Sequence, residues 1–128
     1  MPTILCIDDE ALGLQIRRAV LERAGYRVSA HGDARTALDI IRAAPATVDV
    51  VVTDFNMPDC SGLDVARELA RIRPGLPVVI SSGHISEELR RQALALGVRE
   101  LLEKESTFQA LGPAVARVLA AGSGRYAG

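Results

Sequence analysis

The stretch Val50-Val51-Val52-Thr53-Asp54 limits the fold more than any other part of this chain. Four β-branched residues without a break favour a strand buried on both faces, as in a parallel sheet with helices above and below. Asp54 closes that strand. In open α/β sheets ligands bind outside the carboxyl ends of the strands, so an acid at this point stands where such folds do their chemistry. Read alone, Asp54 could equally begin a turn before Met57-Pro58. The remaining chain distinguishes the two.

Taken in order, Ile4-Leu5-Cys6-Ile7 forms an apolar strand that runs into Asp8-Asp9-Glu10. Leu12, Ile16, Ala19 and Val20 follow at helical spacing, and Gly25 stops that helix. Leu14 and Leu21 lie opposite this stripe, where a neighbouring helix would cover them. Arg27 to His31 alternates as an edge strand, and Asp33 caps a helix carrying Leu38 and Ile41 that Pro45 ends. After the Val50 strand, Ser61-x-x-Asp64 has the spacing of a capping box ahead of Val65, Leu69 and Ile72. Pro77 to Ser81 forms a fourth strand, Ser86 caps a helix with Leu89, Ala93 and Leu96, and Gly97 closes it. Val98 to Leu102 forms a fifth strand. Leu111, Val115, Val118 and Leu119 give a last helix, which Gly112-Pro113 should confine to the residues that follow.

Five strands alternating with five helices predict a doubly wound parallel α/β sheet with right-handed crossovers over residues 1–121, followed by a flexible tail over 122–128. Its carboxyl edge would gather Asp8, Asp9, Asp54, Ser82 and Lys104. Three carboxylates that close repel one another by about 4 kcal/mol per pair at 4 Å and an effective dielectric near 20, so cations are required among them. Lys104 supplies one. A hard divalent ion that takes oxygen ligands and keeps some water, such as Mg²⁺, would supply the rest. The set suits phosphoryl transfer, with Asp54 as a nucleophile forming an acyl phosphate, Lys104 on the phosphoryl oxygens and Ser82 donating to one of them. Each residue singly is an ordinary turn former; five on one edge are not.

Fifteen basic and 16 acidic residues nearly cancel, which leaves no global field to gather nucleic acid or an anionic membrane. No apolar run approaches the about 18 residues of a membrane span, and two cysteines, Cys6 and Cys60, read as incidental in a reduced, cytoplasmic chain. Neither His31 nor His84 has the spacing of a zinc site.

The segments Ile7-Asp8-Asp9-Glu10, Thr53-Asp54-Phe55-Asn56-Met57-Pro58, and Pro77 through Ser82-Gly83-His84, with Gly97 and Lys104, together resemble the CheY-like receiver domains of two-component response regulators. The resemblance covers residues 3 to about 121. It implies a flavodoxin-like fold with strand order 2-1-3-4-5 and Asp54 as phosphoacceptor from a histidine kinase or phosphotransfer protein. It also implies Mg²⁺ on Asp9, Asp54 and the backbone carbonyl of Asn56, with Asp8 acting mainly through water. The output would pass to an effector protein or domain, with a possible homodimer through the last helices and no direct contact with nucleic acid or membrane. In the family the hydroxyl of Ser82 moves toward the phosphoryl group and pulls the next loop with it, and the position of His84 tunes hydrolysis. Two positions depart from the pattern. Leu101 replaces the usual aromatic ring, so an aromatic rotamer switch cannot operate. Glu105 replaces the proline after the lysine, so the loop there is expected to be trans, since a cis bond without proline costs roughly 3 kcal/mol.

Three other readings compete. A pseudo-receiver would bind a partner without being phosphorylated. A small phosphatase of the haloacid dehalogenase type would want Asp-x-Asp after a strand, where this chain has adjacent Asp8-Asp9 and Asp54-x-Asn56, and no cap domain. A dinucleotide-binding fold would need a glycine-rich turn after the first strand, and none is present.

Overall fold

The computed structural model describes residues 1–127, with side chains described through residue 121. Five parallel strands, β1 (Thr3–Ile7), β2 (Arg27–His31), β3 (Val50–Asp54), β4 (Val78–Ser82) and β5 (Glu100–Glu103), form one sheet in the order 2-1-3-4-5. Between and after them run α1 (Ala11–Arg23), α2 (Ala34–Ala43), α3 (Gly62–Ile72), α4 (Glu87–Ala95) and α5 (Thr107–Ala127). This is the doubly wound architecture expected, and the first three strands fall on the predicted residues. The last two begin one and two residues later than predicted, because Pro77 and the Val98-Arg99 pair lead into the sheet without joining it as strand. Of the tail expected over residues 122–128, the backbone of 122–127 continues α5, its side chains lie outside the described residues, and Gly128 lies outside them altogether.

Strand alternation sorts the core into two layers. On one side Leu5, Ile7, Val51, Val78 and Ile80 pack with α2, α3 and α4. On the other, Ile4, Cys6, Val50, Val52 and Val79 pack with Leu21 of α1 and Leu111, Ala114, Val115 and Val118 of α5. Every residue of β3 and β4 is buried, as the unbroken β-branched run requires of a central strand. The helix ends follow their local chemistry. Asp33 accepts from the Thr36 amide, the Ser61–Asp64 capping box is complete, and Ser86 accepts from the Leu89 amide. Gly25 and Gly97 hold φ of 97° and 83°, which their side-chain-free backbones reach without strain.

Two helices differ from the sequence reading. On α1 the buried residues are Arg17 and Leu21, while Leu12 of the expected apolar stripe is 69% exposed. The inward face of α1 runs through Leu14, Arg17 and Leu21, and an arginine in its middle hid that face from a hydrophobicity pattern. Leu14 and Leu21 meet α5, as expected of residues covered by a neighbouring helix. The second difference is α5, which starts at Thr107 and carries Pro113 inside it. Proline removes one backbone hydrogen bond at a cost of about 3 kcal/mol. Four fully inward side chains, Leu111, Ala114, Val115 and Val118, offset that, since burying each of the larger ones contributes about 1.5–3 kcal/mol.

One close approach fixes the mouth of the sheet. The Gly62 amide donates to the Phe55 carbonyl at 2.8 Å, and a Cβ at Gly62 would stand 2.9 Å from the Asp54 carbonyl oxygen and 3.2 Å from the Phe55 Cα. Neither neighbour can yield, because both are backbone. We expect Gly62→Ala to cost about 1–3 kcal/mol in urea-induced unfolding, despite alanine's better helix propensity, as for other overpacked sites. An unchanged midpoint would mean that α3 can shift away from β3.

Candidate phosphoacceptor site

The register across the carboxyl edge sets the site. Cys6 is paired with Val52 and Ile7 with Thr53, so Asp8 continues beside Asp54, and Asp54 is paired in turn with Ser81. Alternation turns Asp8, Asp54 and Ser81 to the face covered by α1 and α5, the same face as Cys6, Val52 and Val79. Asp8 and Asp54 are each 1% exposed. Oxygens of Asp8, Glu10 and Asp54 lie within 4.8 Å of one another, a carboxylate group of the kind that holds a cation. Asp9 is exposed and stands outside that group.

Lys104 answers part of this charge. Its Nζ lies 2.9 Å from Asp54 Oδ2 and 3.3 Å from Glu10 Oε1. Lys104 is the one polar partner of Asp54: both Asp54 oxygens are buried and accept from no other donor among the described residues. Burial raises the Asp54 carboxyl above the usual carboxylate range, and the positive charge of Lys104 offsets only part of that. For Lys104 the balance is reversed. Burial pulls its ammonium down, yet pairing with Asp54 and Glu10 leaves it above its ordinary value.

A second cation, unforeseen from the sequence, completes the group. Arg17, 3% exposed, pairs through Nη1 with Asp8 Oδ2 and donates through Nη2 to Ser81 Oγ. Glu10 was also overlooked, although its signal was plain: it is the third acid of the Asp8-Asp9-Glu10 run. Arg17 gave a weaker signal, three residues after Leu14 and four before Leu21 on the inward face.

The remaining residues lie close by. A cleft of about 210 Å³ is lined by Asp8, Glu10, Arg17, Lys104 and Glu105. A neighbouring hollow of about 350 Å³ is lined by Asn56, Ser82 and His84. The Ser82 hydroxyl is engaged within its own loop, where it donates to the His84 carbonyl at 2.8 Å. Leu101 packs half-buried against the α3 and α4 side of the core. No peptide bond among the described residues is cis, so the link from Lys104 to Glu105 is trans as expected. Cys6 and Cys60 are free thiols, and burial pushes Cys6 up to about 12, which removes it from thiolate chemistry.

Because the folded protein binds the Asp54 proton more tightly than the unfolded chain, this group supports folding at acid pH and loses that support as pH rises through its elevated pKa. Asp54→Asn should therefore unfold at a higher temperature than the parent at pH 7. The difference should shrink as pH falls toward 3.8, the ordinary value. Thermal melts across that range check it, and a difference independent of pH would remove ionisation as the cause.

Comparisons with known proteins agree with this geometry. The family model for the response regulator receiver domain matches residues 4–116. A response regulator receiver domain protein from Clostridium thermocellum superposes with a TM-score of 0.89 at 33% identity, covering 96% of this chain and 98% of its own. The chemotaxis protein CheY4 of Vibrio cholerae superposes with a TM-score of 0.86 at 27% identity, covering 93% and 99%. The probable transcriptional regulatory protein TcrX of Mycobacterium tuberculosis is 34% identical over 84% of this chain and 45% of its own length. The two-component response regulator ARR10 of Arabidopsis thaliana is 30% identical over 84% of this chain and 19% of its own. The chain thus spans less than half the length of these two relatives. With the strand order, the acidic edge and Lys104 in place, this chain belongs to the response regulator receiver domain family.

Proposed function

We propose that this receiver domain accepts a phosphoryl group on Asp54 from a histidine kinase or phosphotransfer protein and passes the change to an effector. The observation that carries this reading is a buried Asp54 whose carboxylate meets Lys104 and no other donor among the described residues, with Asp8 and Glu10 beside it. An oxygen of Asp54 attacks the phosphorus of the donor, the bond from phosphorus to the donor's leaving atom breaks, and an acyl phosphate remains. Water later cleaves it, returning the carboxylate and inorganic phosphate. Lys104, already on Asp54, is placed to neutralise a phosphoryl oxygen as it arrives.

The donor set fits a hard cation: carboxylate oxygens at close range and a buried acid that meets only Lys104. Mg²⁺ would be held by Asp54 with Asp8 and Glu10, the acids brought together here; the family resemblance would add the backbone carbonyl of Asn56 and Asp9, and Asp9 stands outside that group. When bound it would neutralise charge building on the phosphoryl oxygens. Ser82 starts engaged with its own loop, and transfer of its hydroxyl from the His84 carbonyl to a phosphoryl oxygen would release the segment leading into α4. The signal would travel through that loop, since Leu101 offers no ring to rotate.

Intact-mass measurement after incubation with acetyl phosphate and Mg²⁺ tests the chemistry, beside Asp54→Asn and an EDTA-treated sample. A gain of one phosphoryl group that requires both Asp54 and Mg²⁺ is expected. No gain under any condition would leave a pseudo-receiver that binds its partner unmodified. Ser82→Ala should still take up the phosphoryl group but lose the amide shifts of Gly83 and His84 on phosphorylation in NMR spectra. Shifts retained in that variant would put the moving part elsewhere.

A further inference from the structure

Arg17 occupies a place on α1 where the core would ordinarily be apolar, between Leu14 and Leu21, which pack in one cluster with Leu111, Ala114 and Val115 of α5. Burying a guanidinium is costly unless its charge and donors are met. Here Asp8 after β1 meets the charge, and Asp8 and Ser81 of β4 take up Nη1 and Nη2, while the buried Nε–H has no hydrogen-bond partner among the described residues. Asp8 and Ser81 flank Asp54 in the row that crosses the sheet, so a side chain joined to both spans the phosphoacceptor's strand. The positive charge of Arg17 is among the influences that lower the Asp54 carboxyl against the effect of burial. Gly13, one turn earlier, leaves the room for this arrangement. A Cβ there would run into Asp8 Oδ2, and Arg17 Nη1 stands 3.5 Å from the same point.

We propose that Arg17 is a positioning residue and a built-in counter-cation of the phosphoacceptor site. It holds Asp8 and Ser81 on the two sides of Asp54 and occupies electrostatically part of the place a divalent ion would take. The inference rests on the Mg²⁺ reading above and adds a property to it. Asp8 is shared between a resident cation and an arriving one, so the site binds divalent ions more weakly than its carboxylates alone would. Lys104 also carries positive charge to the site, but it pairs with Asp54 and Glu10 and is one-third exposed, whereas Arg17 is buried and joins Asp8 to Ser81.

The test compares Mn²⁺ affinity, from the loss of the free-ion EPR signal, and Mg²⁺ affinity, by competition, for the full chain, Arg17→Gln and Arg17→Lys. Glutamine keeps donors for Asp8 and Ser81 without charge, and lysine keeps the charge without the planar fork. Arg17→Gln should bind both ions at least about fivefold tighter than the parent, and Arg17→Lys within about twofold of it, as expected for removal or retention of a charge close by. A purely structural arginine would leave affinity unchanged in any variant that folds, so equal affinity in Arg17→Gln and the parent would overturn the proposal alone. If no divalent ion binds to either, the Mg²⁺ reading falls and this inference with it. A second measurement needs no variant. In the parent, the Arg17 Nε–H resonance should shift on Mg²⁺ addition with the same midpoint as the Asn56 amide. An Arg17 signal that stays fixed while the Asn56 amide moves to saturation would overturn the proposal even if Arg17→Gln does not fold.

Discussion

Carboxylate repulsion at the carboxyl edge is the constraint around which this domain is arranged. Parallel pairing of β1 and β3 in this register brings Asp8 beside Asp54, and the turn after β1 adds Glu10. Acids so close, two of them buried, raise the free energy of the fold unless cations stand among them. The chain meets this from two directions: Lys104 comes over the open side from the end of β5, and Arg17 rises from beneath on α1. Arg17 depends on the packing of its own helix, since Leu14 and Leu21 of α1 share one apolar cluster with Leu111 and Val115 of α5. The apolar core and the charged edge are therefore one construction.

Much of this was legible in the sequence because period and position carry strong signals. The unbroken run Val50 to Thr53 could be little other than a central strand, and Asp33, Ser61 and Ser86 announced their helices by capping chemistry. Parallel order then put Asp8, Asp54 and Lys104 on one edge without any reference to side-chain detail. The chain was harder to read where tertiary packing overrode a local rule. Leu12 has helical spacing with Ile16 but faces outward, because the inward position is held by Arg17, whose burial depends on Asp8 and a serine sixty-four residues away. No pattern confined to α1 contains that information. Pro113 was misread for a similar reason, as a local penalty was outweighed by contacts between α5 and the sheet.

The split between Ser81 and Ser82 shows how two like residues acquire different work from strand geometry. Ser81 turns toward α1 and α5 and is tied to Arg17; Ser82 turns the other way and is tied to the loop ahead of α4. Adjacent in sequence, they belong to opposite layers, one to the charged floor of the site and one to the segment that leads outward.

The tight seating of Gly62 gives this edge a mechanical asymmetry. Where α3 begins, backbone lies against the Asp54 carbonyl and the Phe55 Cα, and the Gly62 amide clasps the Phe55 carbonyl, so that wall is clamped. Across the site, the link from Ser82 to Ser86 carries exposed Gly83 and His84 and is fastened chiefly by the Ser82 hydroxyl, a bond that can be exchanged for another. A disturbance at Asp54 thus meets a fixed jaw on the side of α3 and a free jaw on the side of α4. Displacement is directed one way before any partner is present.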